Sequence, residues 1–238
     1  MIGQRLSETL RFWSRNIPAL LIVTLPFALA GEFIQSLFGP ALAADEEGIR
    51  ISEISAVLIL LLRPFAEGAI MAQLLAIQQG RIASMASCLA FSIRAAPVLL
   101  MTYLMLGAGV YAGLLLFIFP GAWLYARLCQ APYIAVLESR TPVQALGEAW
   151  RRSASDQWQI LGAVTMVFLI VVGLFQFAGM IINGLLGTHV VSSILLGILT
   201  SVISCMLNII VFRYYGLLRP AAPGSTPPAQ DDDTPGAP

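Results

Sequence analysis

Four ionisable side chains, Glu32, Arg63, Glu67 and Arg127, stand inside or beside runs of apolar residues, where a charge is costly unless it meets a partner or water. Arg63 and Glu67 are four residues apart, the spacing that puts two side chains on one helix face and lets them pair. Arg127 follows the dipeptide Pro120-Gly121 by six residues, on what reads as the return limb of a helical hairpin. If the fold gathers these groups, three kinds of chemistry are open. They can neutralise one another and hold helices in register. Arg63 and Arg127 can bind an anion or a lipid phosphate, since a planar guanidinium suits bidentate phosphate contact. Glu32 and Glu67 can line a path for protons or ions.

Other reactive residue types are sparse. His189 is the single histidine and falls at a turn, with no second histidine or carboxylate near it in sequence, so it reads as a loop residue. Ser153, Ser155 and Asp156 lie in a different segment from His189 and compose no triad with it. Cys88, Cys129 and Cys205 are odd in number and show no metal-ligand spacing, which points to neither a disulfide framework nor a zinc site. P-loop, dinucleotide-binding, HExxH and GxSxG motifs are absent. The sequence therefore implies no metal, no cofactor and no catalytic residue.

The elements that hold these groups follow from composition. The 238 residues are 58% hydrophobic and only 11% charged, with a mean hydropathy of +0.83. A soluble domain carries roughly 25% charged residues, so lipid must solvate much of this chain. All 13 basic residues are arginine, balanced by 13 acidic ones, and zero net charge implies no nucleic-acid surface. The N-terminal region does not read as a cleavable signal peptide, because its apolar run continues into Gly31-Glu32 without a small-residue cleavage site.

A crossing needs about 20 apolar residues. Residues 17–38 supply one. Residues 95–126 carry no charge and are too long for one straight helix, so Pro120-Gly121 is the expected break, giving spans 97–119 and 121–137. Residues 157–212 hold no Asp, Glu or Arg and must cross twice, with a turn near 183–189 and spans of 160–182 and 190–212. The segment 54–77 is marginal. Its twelve Leu, Ile, Val and Phe residues contribute about −4 to −7 kcal/mol to insertion, and Arg63 and Glu67 cost about 2.5–3.5 kcal/mol each. As the return limb from the first helix it completes six transmembrane helices in an all-α bundle. With the N-terminus inside, ten arginines fall on the cytoplasmic side and only Arg50 outside, as the positive-inside rule requires. Both termini are then cytoplasmic.

Three segments between spans are amphipathic. Ile2, Leu6, Leu10 and Trp13 recur at helical spacing in residues 1–16. Thr141-Pro142-Val143-Gln144 has the form of a capping box that opens a helix to about Asp156. Residues 84–93 form the third. Trp13, Arg15, Trp150, Arg151 and Arg152 are the residues expected at the membrane interface, where Arg151 and Arg152 can also attract anionic lipid. The Arg–x–x–Pro pattern at Arg15/Pro18 recurs at Arg94/Pro97, so the membrane domain 1–219 reads as three amphipathic-helix-plus-hairpin units, 1–80, 81–140 and 141–219. Gly109 and Gly113 compose a GxxxG suited to close helix packing. Residues 220–238, with six prolines and Asp231-Asp232-Asp233, read as a disordered tail.

Five features carry a resemblance to a known family: Phe12-x-x-x-Asn16, Gln79-Gly80, Pro120-Gly121 followed by Ala131-Pro132, the segment bearing Ser153, and the closing Val211-Phe212-Arg213-Tyr214-Tyr215. On these the chain resembles the YciC-like family of bacterial inner-membrane proteins over about residues 5–219, and more distantly membrane regions associated with glycerophosphodiester phosphodiesterases. The resemblance implies a location and a topology, not an activity. The expectation is a non-catalytic inner-membrane protein of envelope or lipid homeostasis, with membrane lipids and other envelope proteins as partners. A small transporter or channel using the intramembrane charges is the alternative, and a lipid-modifying membrane enzyme the third reading.

Overall fold

Eight helices run through the chain in a computed structural model, which describes residues 2–45, 48–187 and 190–218. They are α1 (Ile2–Phe38), α2 (Glu53–Gln78), α3 (Met85–Leu116), α4 (Ile118–Leu128), α5 (Ala131–Leu137), α6 (Pro142–Arg152), α7 (Gln157–Leu186) and α8 (Val190–Leu218). The only strands among the described residues are β1 (Leu42–Asp45) and β2 (Gly48–Ile51), an antiparallel ribbon that pairs Leu42 with Ile51 and closes the α1–α2 connection. The described residues are thus all-α apart from a decorated turn. Gly39 leaves α1 at φ +86°, a conformation open to glycine, and the Ser52 and Ser55 hydroxyls donate to the Phe38 and Gly39 carbonyls to close that turn.

Five helices, α1, α2, α3, α7 and α8, are long and apolar enough to cross a membrane. Their outward faces present bare apolar side chains such as Phe33, Leu169, Met180 and Leu185, which water would not tolerate at this density. The return limb expected at 121–137 is different. It is divided into α4 and α5, of about 16 and 10 Å, and neither alone spans a bilayer. Pro132 divides it, because a proline there has no N–H for the Leu128 carbonyl and its ring would collide with that turn. The reversal after α3 also falls earlier than Pro120-Gly121. Phe117 alone is extended, at φ −172° and ψ 160°. Pro120 then sits in the first turn of α4, where a missing N–H costs nothing.

The amphipathic segments are placed unequally. Residues 2–16 are the first part of α1 itself, and residues 84–93 run into α3. Leu6, Leu10 and Trp13 are partly buried and pack on the protein's own core, and the Trp13 indole donates to the Val202 carbonyl at 2.9 Å. Only α6 stands apart from the helix that follows it. Its start is the expected capping box, with Thr141 accepting from the Gln144 amide and the Gln144 side chain accepting from the Thr141 amide.

α1 packs on α2 and α8, α2 on α3, α3 on α4, and α7 on α8. Arg213 near the end of α8 pairs with Glu8 near the start of α1, so both ends of the described chain lie at the same arginine-rich end of the bundle. Two apolar cores hold the helices together. One gathers Leu99, Tyr133, Ile134, Ile160 and Met206, and the other gathers Leu20, Ile70, Leu74 and Ile209. His189, Arg219 and the tail 220–238 lie outside the described residues.

Candidate functional site

α2 brings Arg63 and Glu67 to the wall of a cavity of about 650 Å³. The cavity is bounded by α1, α2, α3 and α8, with tyrosines reaching in from α4 and α5. Pro64 lies between the two charged residues and leaves the helix unbroken. Arg63 and Glu67 face each other as the i, i+4 spacing predicts, with Nε 3.8 Å from Oε1. That distance is too long for a hydrogen bond, and the two ends differ sharply in setting. The Arg63 side chain is 67% exposed at the rim, whereas Glu67 is 12% exposed and points inward.

Around the Glu67 carboxyl stand the Tyr103 phenol of α3 and the Asn208 amide of α8. Neither makes a bond of ordinary geometry to Oε2, which is buried and has no hydrogen-bond partner. Tyr133 comes from α5 and donates to the Asn208 carbonyl at 3.0 Å, tying that helix to α8. Thr24 of α1 lines the same cavity at 3% exposure, and its Oγ1 also lacks a partner. A helical threonine ordinarily returns its hydroxyl to the preceding turn, as Thr102 does to Val98 and Thr200 to Leu196. Most of the remaining wall is apolar, including Phe27, Ile59, Leu100 and Val211. Few polar groups converging in an apolar pocket is the composition of a small-ligand site.

The other two intramembrane charges lie elsewhere. Glu32 rests on Gly197 of α8, where a Cβ would meet its Oε1 at 2.5 Å, and it does not line the cavity. Arg127 faces α6 and α7. It is 6% exposed, donates from Nη1 to Gln157 at 2.9 Å and from Nη2 to the Trp150 carbonyl at 2.8 Å, and lies 4.1 Å above the Trp150 ring. Ser153 donates back to the Arg127 carbonyl at 3.0 Å. The four charges are therefore in three separate places: a pair at a cavity, a glutamate against α8, and an arginine that fastens a short helix.

The residues expected at the interface divide the same way. Arg152 makes a bidentate pair with Glu138 at 2.7 and 2.8 Å and reaches Glu148 at 2.8 Å, which ties α6 to the end of α5. The Arg152 hydrogen bond, and less so that of Arg151, holds the Glu148 carboxyl below its usual range, while the Glu138 hydrogen bond and then that of Glu148 hold the Arg152 guanidinium above its own. Arg151 is exposed and pairs with Glu148. Trp150 meets Trp123 edge to face at 5.4 Å. Arg15 borders a groove with Arg11, Asn16 and Arg213 at the arginine-rich end.

Tyr103, Asn208, Tyr133 and Thr24 carry much of the cavity's polarity, and reading the charges alone passes over them. Their only signal in the sequence is an uncharged polar residue inside an apolar run, which is common in membrane helices and weak evidence singly. No protein-family model matches the chain, and neither the curated proteins nor the solved structures include a match to it. The structure defines the chain at the level of class: a helical protein with five helices long and apolar enough to cross a membrane and a mostly apolar cavity among them.

Proposed function

We propose that this chain is a non-catalytic inner-membrane protein of lipid or envelope homeostasis that holds a phospholipid in the α1–α2–α3–α8 cavity. The observation that carries the reading is Arg63, exposed at the rim of a mostly apolar cavity in the middle of a membrane helix. A guanidinium held only by a loose 3.8 Å pair at that depth is costly, and a phosphate is the group that best relieves the cost while leaving acyl chains among lipid. The volume lies within the roughly 300–1,000 Å³ of small-ligand sites, room for a headgroup and glycerol rather than a whole lipid. Leu60 and Leu104, both exposed at the rim, offer the chains an apolar exit.

The YciC-like resemblance supports the bacterial inner membrane as the location. In this reading α4 and α5 together make the sixth crossing of three tandem units, and the arginine-rich end faces the cytoplasm. Native mass spectrometry of the gently purified protein tests the phospholipid. Wild type should retain one and Arg63→Gln should lose it; a wild-type protein that keeps no phospholipid would overturn the reading. The transporter alternative draws on the unpartnered Glu67 oxygen and predicts substrate flux in proteoliposomes that Glu67→Gln abolishes.

A further inference from the structure

Resting on the phospholipid reading, we infer that the Arg63–Glu67 pair makes the cavity selective for a zwitterionic headgroup with a primary ammonium, of the phosphoethanolamine type. The pair is loose, with a 3.8 Å separation and one end at the rim and the other inside. Its two poles have the order of the headgroup: Arg63 outermost for the phosphate, Glu67 deeper for the ammonium. A ligand that separates the pair must leave both members satisfied, because stranding one charge in an apolar setting is strongly unfavourable. A purely anionic headgroup takes Arg63 and strands the Glu67 carboxylate. A purely cationic ligand takes Glu67 and strands Arg63. A zwitterion replaces one pair by two and leaves net charge unchanged.

The inner end of the cavity favours a hydrogen-bonding cation. Thr24 and Glu67 both line this cavity, and their Oγ1 and Oε2 atoms are both buried without a partner. Buried polar atoms are nearly always hydrogen-bonded, so two orphans in residues that line one cavity, one from α1 and one from α2, mark where donors from outside the chain belong. A primary ammonium has three N–H donors for the carboxylate, the hydroxyl and the Tyr103 oxygen. A trimethylammonium has none, and would leave Oε2 as it is.

The test is competitive binding. Full-length protein in detergent is offered equal amounts of phosphatidylethanolamine, phosphatidylcholine and phosphatidylglycerol with identical acyl chains, and retained lipid is counted by native mass spectrometry. Wild type should favour phosphatidylethanolamine by about tenfold, the worth of one charge-assisted hydrogen bond. Glu67→Gln should still bind phospholipid but lose the preference, and Tyr103→Phe should weaken it. Arg81→Gln, outside the cavity, should keep it. Circular dichroism melting checks that each variant is folded. If wild type retains the three lipids equally, or favours phosphatidylglycerol, the ammonium assignment is wrong and the phospholipid reading stands. If folded Glu67→Gln keeps the full preference, the assignment is also wrong. If wild type retains none of the three, both fall together.

Discussion

Replacing Arg127 with methionine is expected to loosen α6 from α4 and α7 while leaving the cavity unaltered. The guanidinium makes two short hydrogen bonds, to the Gln157 side chain and the Trp150 carbonyl. Each is worth about 1.5–3 kcal/mol for a charged donor. Its place 4.1 Å above the Trp150 ring adds about 0.5–2 kcal/mol. Two effects oppose these. No carboxylate pairs with Arg127 among the described residues, so methionine relieves a buried, unpaired cation. The Trp150 carbonyl also keeps a second donor, Ser153 Oγ at 3.3 Å, and is not orphaned. The expected net loss is about 2–3 kcal/mol, or roughly 30- to 150-fold in the unfolding equilibrium. Reversible unfolding in mixed micelles, followed by tryptophan emission, measures it directly, since Trp123 and Trp150 flank the site. Phospholipid retention is measured on the same sample below the transition. Unchanged stability would refute the account of Arg127 as a fastener. Lost retention in a fully folded variant would refute its separation from Arg63.

Two further expectations use the same unfolding assay. A Cβ on Gly113 would stand 2.9 Å from the Gly121 Cα and 2.8 Å from a Leu124 methyl, so Gly113→Ala must push α3 and α4 apart at about 1–3 kcal/mol; Gly109→Ala meets only a Leu128 methyl at 3.9 Å and should be near neutral. Equal losses in the two variants would show that the contact does not decide the packing. The Glu148 carboxyl, held low chiefly by Arg152, contributes stability that is present above the ordinary glutamate value near about 4.3 and is lost as pH falls through its lowered folded-state value. That contribution is under about 1 kcal/mol, because the site is partly open to solvent and Arg151 is exposed. Stability should be insensitive to Glu148 between about pH 5 and 8 and should fall less steeply below pH 4 in Glu148→Gln than in wild type. A variant with the wild-type slope would remove Glu148 from the account of α6.

Much of the architecture is written in the sequence because a bilayer imposes a one-dimensional rule. A helix must satisfy its own backbone over some 20 apolar residues, and that requirement is legible in hydropathy without knowing what packs against what. Five of the spans so found are single long helices, and the Thr141–Gln144 capping box forms as its spacing predicts, because both depend on neighbours within a turn. The pairing of Arg63 with Glu67 was legible for the same local reason. The GxxxG was legible only as a motif. Gly113 makes the close approach and Gly109 does not, since the partner that decides is Gly121 across the hairpin.

Relations between distant segments were decided by the tertiary structure. The sequence marks Glu32, Arg63, Glu67 and Arg127 as equally unusual, but the direction in which each helix turns its side chains sends Arg127 to α6 and Glu32 to Gly197, and leaves Arg63 and Glu67 at the cavity. Whether residues 1–16 lie on lipid or protein is equally invisible in their periodicity, which is the same for either apolar surface; α8 is what takes Trp13. The cavity itself arises because α1, α2, α3 and α8 leave a gap between their apolar faces, and its polar wall comes from residues as far apart as Thr24 and Asn208. Hydropathy and local spacing are properties of one segment, so the sequence alone marks five long helices and the Thr141 cap, while a site assembled from four helices exists only once packing has chosen which faces meet.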